Sequence, residues 1–212
     1  MADYSAEEEQ LEKLKEWWRE NRNYVIAGVV LGLLVVFGWR GWETHTQSMA
    51  EDGSMHFENL HVATQLGQYE QATEIAQNLR EHYARTPYAG LGSLVVARAA
   101  LEAGEPETAV ESLTWAMDKA RSREIQALAR LRLARVKFDQ GESDAALSLL
   151  VRPPRQSFTA AYAELRGDIH ASEGRTEQAR EAYQAALDAS ERDTGNLGML
   201  RMKLDAMGGP RE

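Results

Sequence analysis

The hydrophobic pattern changes character twice along the chain. From Val25 to Trp39 it reads VIAGVVLGLLVVFGW, fifteen residues without a charged or strongly polar one. Ahead of this run Leu11, Leu14 and Trp18 recur at helical spacing in a polar background. From about residue 51 to Met207 apolar residues again recur every three or four positions, interrupted by short polar turns, which is the pattern of amphipathic helices. The predicted organisation is all-α: an N-terminal segment 1–23, a transmembrane helix 24–42, a linker 43–50 and a helical domain 51–212.

Fifteen residues are short for a span, since about 20 are needed to cross roughly 30 Å of hydrocarbon. The flanks extend the run: Trp17 and Trp18 precede it, Tyr24 opens it, and Trp39 and Trp42 close it. Trp18 and Trp39 stand about 31 Å apart along a helix, the separation of two interfacial aromatic belts. Arg22 and Arg40 can snorkel from the two ends. The rival reading is a cleaved signal peptide, with Ser48-Met49-Ala50 as small-residue cleavage site. Against it, six glutamates precede the run, and Arg40 and Glu43 separate the run from that site. Lys13, Lys15, Arg19 and Arg22 lie before the span; after Arg40 no Lys or Arg follows until Arg80. Basic residues stay inside, so the expected topology is N-terminus cytoplasmic and the large domain outside. Gly28 and Gly32 form a GxxxG pattern that can seat another helix, although glycines also occur in spans without that role. Ser5 with Glu8 reads as a capping box, making 1–23 either a cytoplasmic contact helix or a solvated lead into the span.

Four stretches in the helical domain resemble one another: GQYEQA from Gly67, GEPETA from Gly104, GESDAA from Gly141 and GRTEQA from Gly174. Their glycines are 37, 37 and 33 residues apart, a period that marks stacked supersecondary units. Each glycine can end a helix in a left-handed conformation, and each alanine permits close packing of the next helix. After the turns Tyr69, Ala72, Ile75, Ala76 and Leu79 share a face, as do Ala109, Val110, Leu113 and Ala116; Ala146, Leu149 and Leu150; and Ala179, Ala182, Tyr183, Ala186 and Leu187. Before them, Leu91, Leu94, Val95 and Leu101, then Leu128, Leu131, Val136 and Phe138, then Tyr162, Leu165 and Ile169 mark the preceding helices. Pro87 and Pro153-Pro154 punctuate the ends of units.

These helix–glycine–alanine–helix units resemble the tetratricopeptide repeat over about 150 residues, the copy EGRTEQAREAYQAAL ending at Leu187 matching best. The other copies mostly lack the large aromatic expected early in the first helix. The resemblance implies a solenoid of about four helix pairs, and the apolar positions Leu197, Leu200, Leu204 and Met207 supply a capping helix for its last face. It also implies a concave groove lined by the first helices. Aligning on the turn alanines places Phe57 and His61 there, then Leu91, Leu94, Arg98 and Leu101, then Leu128, Leu131, Arg135 and Phe138, with Glu164 and Asp168 from the fourth unit. Leu94, Leu101, Leu131 and Phe138 are expected to form one apolar strip suited to an extended or helical peptide. The same leucines equally suit the solenoid core.

Charge and chemistry narrow the function further. The formal charge of -9 opposes bulk electrostatic binding of nucleic acid. Without cysteine there are no disulfides, thiolate metal sites or cysteine nucleophiles. The five histidines are scattered, and His56 and His61 are five apart, not the four that pairs ligands on a helix. Gly90-Leu91-Gly92 lacks the third glycine and strand context of a dinucleotide loop. Glu107, Glu142 and Glu177 recur at the turns as helix N-terminal charges. Arg121, Arg123, Arg130, Arg132 and Arg135 are read as a solvated, salt-bridged helix face. No catalytic constellation, metal or cofactor is expected.

The opening YSAEEEQLEKLKEWWRENRNYVIAGVVLGLLVVFGWRGW, followed by the four turns, resembles the YfgM family of ancillary subunits of the bacterial Sec translocon over nearly the whole chain. That resemblance implies a non-enzymatic inner-membrane protein beside the translocon channel. Its implied partners are membrane lipid, a membrane-anchored periplasmic chaperone related to prolyl isomerases, and translocating polypeptides handed to such chaperones. A cytoplasmic regulatory role of the N-terminal segment is implied as well. The competing classes are a repeat scaffold for envelope or division assembly and an enzyme with an unrecognised site.

Overall fold

The computed structural model describes residues 2–190 and 197–208, with side chains from Glu12 onward. Among them the chain is helical throughout: α1 (Ala2–Gln65), α2 (Tyr69–His82), α3 (Pro87–Ala103), α4 (Pro106–Lys119), α5 (Arg123–Asp139), α6 (Ser143–Leu149), a 3-10 turn (Gln156–Phe158), α7 (Thr159–Ser172), α8 (Thr176–Ser190) and α9 (Leu197–Ala206). The chain divides into two compact units, 1–48 and 49–212.

The first unit is helical across the apolar run and is long and apolar enough to cross a membrane. Its large apolar side chains from Ile26 to Phe37 are all exposed, as are Trp17, Trp18, Tyr24, Trp39 and Trp42. A segment that carries a full belt of apolar surface and buries none of it within its own chain is suited to lipid or to a partner helix. Residues 43–50 are helical too, lying within α1. The side chains of Ser5, Glu8 and Leu11 lie outside the described residues; Leu14 and Trp18 are exposed.

The second unit is a stack of helix pairs, and its turns explain why. Gly67, Gly104, Gly141 and Gly174 have φ of 68°, 79°, 81° and 72°, the left-handed region that residues with a Cβ avoid. Each turn closes with the same pair of backbone bonds. At the second, Gly104 N–H donates to the Leu101 carbonyl at 3.2 Å and Glu105 N–H to the Ala100 carbonyl at 2.8 Å. This Schellman motif satisfies two carbonyls that the helix end would otherwise orphan. The next helix then presents its alanine to the first: Ala72, Ala109, Ala146 and Ala179 are all fully buried. Pro87 and Pro106 occupy first-turn positions of α3 and α4, where the missing N–H costs no helical bond. Ser122 caps α5, its hydroxyl accepting from the Glu124 and Ile125 amides.

Among the described residues four apolar clusters follow one another in chain order, one per pair. Leu60 and Ala63 meet Ala72, Ala76, Leu79 and Val96. Leu94, Ala97 and Ala100 meet Leu113, Ala116, Ile125 and Leu133. Ala134 meets Leu150, Tyr162, Leu165 and Ile169. Ala163 meets Ala179, Tyr183 and Leu187, closed by Leu200 and Leu204 of α9. The capping helix therefore lies where the apolar period of 197–207 requires. Gly90 and Gly92 are packing residues of α3: a Cβ would come within 2.9 Å of Ala120 at the first and 3.0 Å of Leu79 at the second.

Candidate peptide-binding groove

An apolar cavity of about 280 Å³ opens between α3 and α5, with Leu113 of α4 contributing to its lining. Leu94, Ala97, Arg98 and Leu101 come from α3; Arg132, Arg135, Val136 and Asp139 come from α5. On each helix the four residues follow an i, i+3, i+4, i+7 series and so form one stripe. Leu94 is almost fully buried at 4% exposure, while Leu101 is 45% exposed. The cavity is thus anchored in the core and offers a free aliphatic edge.

Cations surround this edge. Arg98 Nε donates to Glu102 Oε1 at 2.8 Å, one turn along α3; the bond and the carboxylate charge raise the Arg98 pKa. Arg132 Nη1 donates to the Leu94 carbonyl at 3.5 Å, crossing from α5 to α3. Burial holds the Arg132 guanidinium below its ordinary pKa, and the like charge of Arg98 adds to that. Asp139 is the single carboxylate among the lining residues. An apolar slot edged by guanidinium groups suits a polypeptide that places apolar side chains in the slot and carbonyl or carboxylate oxygens along its rim.

The structure gathers Leu94, Arg98, Leu101 and Arg135 here and sends the other expected groove residues elsewhere. Phe57 and His61 meet edge to face at 4.8 Å on α1, and Phe57 lies 5.7 Å from the Tyr88 ring. Leu91 and Leu128 pack half-buried on the same core cluster as Leu94. Leu131 and Phe138 pack on the next cluster, with Tyr162, Leu165 and Ile169. The four-residue strip of Leu94, Leu101, Leu131 and Phe138 is therefore not assembled. Residues equivalent by the repeat both face their own following repeat, so Leu94 looks toward α5 and Leu131 toward α7. Arg132, the groove wall supplied by the backward face of α5, is not among the groove positions the repeat alignment gives; its signals in the sequence are its place one residue after Leu131 and its membership of the arginine run with Arg135.

Gly28 and Gly32 lie in the first unit, where a Cβ at either position would meet nothing within 4 Å. That face is open in the described chain. Among the described residues no group of three or more His, Cys, Asp or Glu side chains is arranged to hold a metal.

In the second unit, stacked pairs with left-handed glycine turns, buried alanines and an inter-helix groove define a tetratricopeptide-type helical repeat protein. A family model described as tetratricopeptide repeat-like domain matches residues 15–209. A Haemophilus influenzae protein named ancillary SecYEG translocon subunit is 32% identical over 184 residues, covering 86% of this chain and 90% of its own. The protein of that name from Aggregatibacter actinomycetemcomitans is 32% identical over 202 residues, 95% of each chain. The one from Escherichia coli is 29% identical over 205 residues, 97% of this chain and 98% of its own. The chain belongs to this tetratricopeptide-repeat family, the YfgM-type ancillary SecYEG translocon subunits.

Proposed function

We propose that the chain is a single-pass inner-membrane adaptor of the Sec translocon that acts by binding polypeptide and carries out no chemistry of its own. Family membership supports the translocon association, and the exposed apolar helix supports the anchor. The excess of basic residues before the span supports a cytoplasmic N-terminus and a periplasmic repeat unit. In this reading a translocon helix packs on the Gly28–Gly32 face. The repeat unit receives emerging chains, or the membrane-anchored prolyl-isomerase-like chaperone that takes them over, and the N-terminal segment contacts a cytoplasmic regulator.

The observation that carries the binding role is the α3–α5 groove, an apolar slot open at Leu101 and edged by arginines. Photocrosslinkers placed at Leu101 and Arg135 in intact membranes test it. Adducts with the translocon channel, a periplasmic chaperone or a translocating chain are the expected result. Adducts confined to envelope or division assembly proteins would replace this reading with that of a scaffold.

A further inference from the structure

A second cleft lies away from the groove, between the α4–α5 turn and the connection from α6 to α7. Its volume is about 940 Å³, and its lining includes Arg121, Arg123, Arg130 and Arg152. The chain as a whole carries a formal charge of -9, yet among the described residues no carboxylate lines this cleft. The neighbouring Arg155 is paired with Glu124. Among the described residues, Arg121, Arg123, Arg130 and Arg152 have no such partner, and Arg121 donates only to the Arg85 carbonyl at 3.4 Å. The expected salt-bridged face is therefore corrected: Arg132 and Arg135 turn to the α3–α5 groove, while the other three arginines converge here with Arg152. Arg121 and Arg123 moreover flank the N-terminal end of α5, where the helix dipole favours anions and penalises cations.

We propose that this cleft binds an acidic peptide segment, two or more Asp or Glu side chains in an extended stretch of a partner protein. Guanidinium groups grip carboxylates through paired N–H donors. The cleft far exceeds the space one phosphate fills, and its other lining groups suit a peptide backbone. Gln126 donates through Nε2 to the Ala120 carbonyl at 2.7 Å, which leaves its amide oxygen to accept from a main-chain N–H. Gln156 adds an amide with both functions, and Pro153-Pro154 forms a stiff wall. A phosphodiester without a donor group leaves these acceptors unused, whereas a peptide main chain supplies N–H groups to them. The site is separate from the groove and does not depend on what the groove binds.

The test uses the full chain in nanodiscs of zwitterionic lipid and a fluorescent octapeptide alternating Glu with Gly, against the same peptide with Gln for Glu. The expected result is saturable binding of the Glu peptide alone, weakening as salt rises. Binding should fall at least tenfold in Arg121→Gln/Arg152→Gln. Both side chains are exposed, so the variant keeps its fold, as circular dichroism and melting will register. Equal binding by parent and variant, or equal binding of the two peptides, overturns the proposal. Inorganic phosphate and a short-chain anionic phospholipid are then titrated as ligands in place of the peptide. If either binds through these arginines while the Glu peptide does not, the site belongs to a phosphate group and the peptide assignment is wrong.

Discussion

Lys203 of α9 places its Nζ 2.7 Å from Asp168 Oδ1 and 2.7 Å from Glu164 Oε1 of α7. Those two carboxylates stand where the preceding repeat has Leu131 and Arg135, 33 residues earlier. The repeated apolar-and-basic pair is therefore replaced in the last unit by an acidic pair, and the capping helix supplies its counter-charge. In this way one substitution pattern marks where stacking stops.

Removing that charge should loosen the cap. Lys203→Met leaves two half-buried carboxylates facing each other and is expected to cost about 1.5–3 kcal/mol, the range for hydrogen bonds to charged groups. A lowered melting temperature is the readout; an unchanged one would show that the pair does not hold α9. The pH dependence has a definite sign. Burial opposes the Lys203 charge, but the hydrogen bonds and charges of Asp168 and Glu164 outweigh it and raise the pKa. The pair's contribution is thus fully present below the ordinary lysine value of about 10.4 and is lost as pH rises through the higher folded value. Parent stability should fall more steeply than that of Lys203→Met in this alkaline window.

Gly167 of α7 is a contact residue for Tyr183: a Cβ there would lie 2.5 Å from ring carbons Cδ1 and Cε1. Gly167→Ala gains about 1 kcal/mol of helix propensity but overpacks the ring at a cost of about 1–3 kcal/mol or more, so net destabilisation is expected. Tyr183 is 3% exposed, and Tyr183→Ala should cost about 3–5 kcal/mol. The two substitutions should be less than additive, since removing the ring removes the clash. Additive losses in denaturant titrations would show that the ring and the glycine do not meet.

How much of this was legible in the sequence follows from which interactions are local. The turns were, because Gly104 with Ala109 and its three counterparts encode a left-handed backbone and a fully buried methyl within six residues. The cap helix was also legible, its face spelled by Leu200 and Leu204. The groove was legible only in part. Periodicity shows that Leu94 and Leu131 share a repeat position, not which neighbouring helix each meets. The arginine run from Arg121 to Arg135 likewise reads as one face, yet it wraps α5 and reaches two separate clefts. The Lys203 pairing spans 35 and 39 residues, beyond any local pattern.

The exposed apolar helix makes its own prediction. The protein should resist carbonate extraction and keep its N-terminal residues. Protease added to the periplasmic side should digest the repeat unit and spare the first 23 residues. A mature form starting near Glu51 in mass spectrometry would mean a cleaved leader, and the reverse digestion pattern would invert the topology.

The groove is best tested at residues that do not hold the fold. Leu94→Ala with Phe138→Ala is a poor choice, because Leu94 is 4% exposed and Phe138 packs on the cluster around Leu150. Such core truncations cost about 2–5 kcal/mol in stability, and lost capture would report unfolding. Leu101, nearly half exposed, and Arg135 at the surface are the informative positions. A Leu buried by a partner is worth roughly 1.5–3 kcal/mol, so Leu101→Ser should weaken partner capture about 10- to 100-fold with little change in melting temperature. Arg98→Glu with Arg135→Glu reverses two rim charges. It should therefore invert the salt dependence of binding to a partner with acidic groups, which then strengthens as salt rises, since screened attraction is replaced by screened repulsion. If both folded variants capture partners as the parent does, the α3–α5 cavity is not where partners dock. The Gly28–Gly32 face of α1 then becomes the surface to mutate.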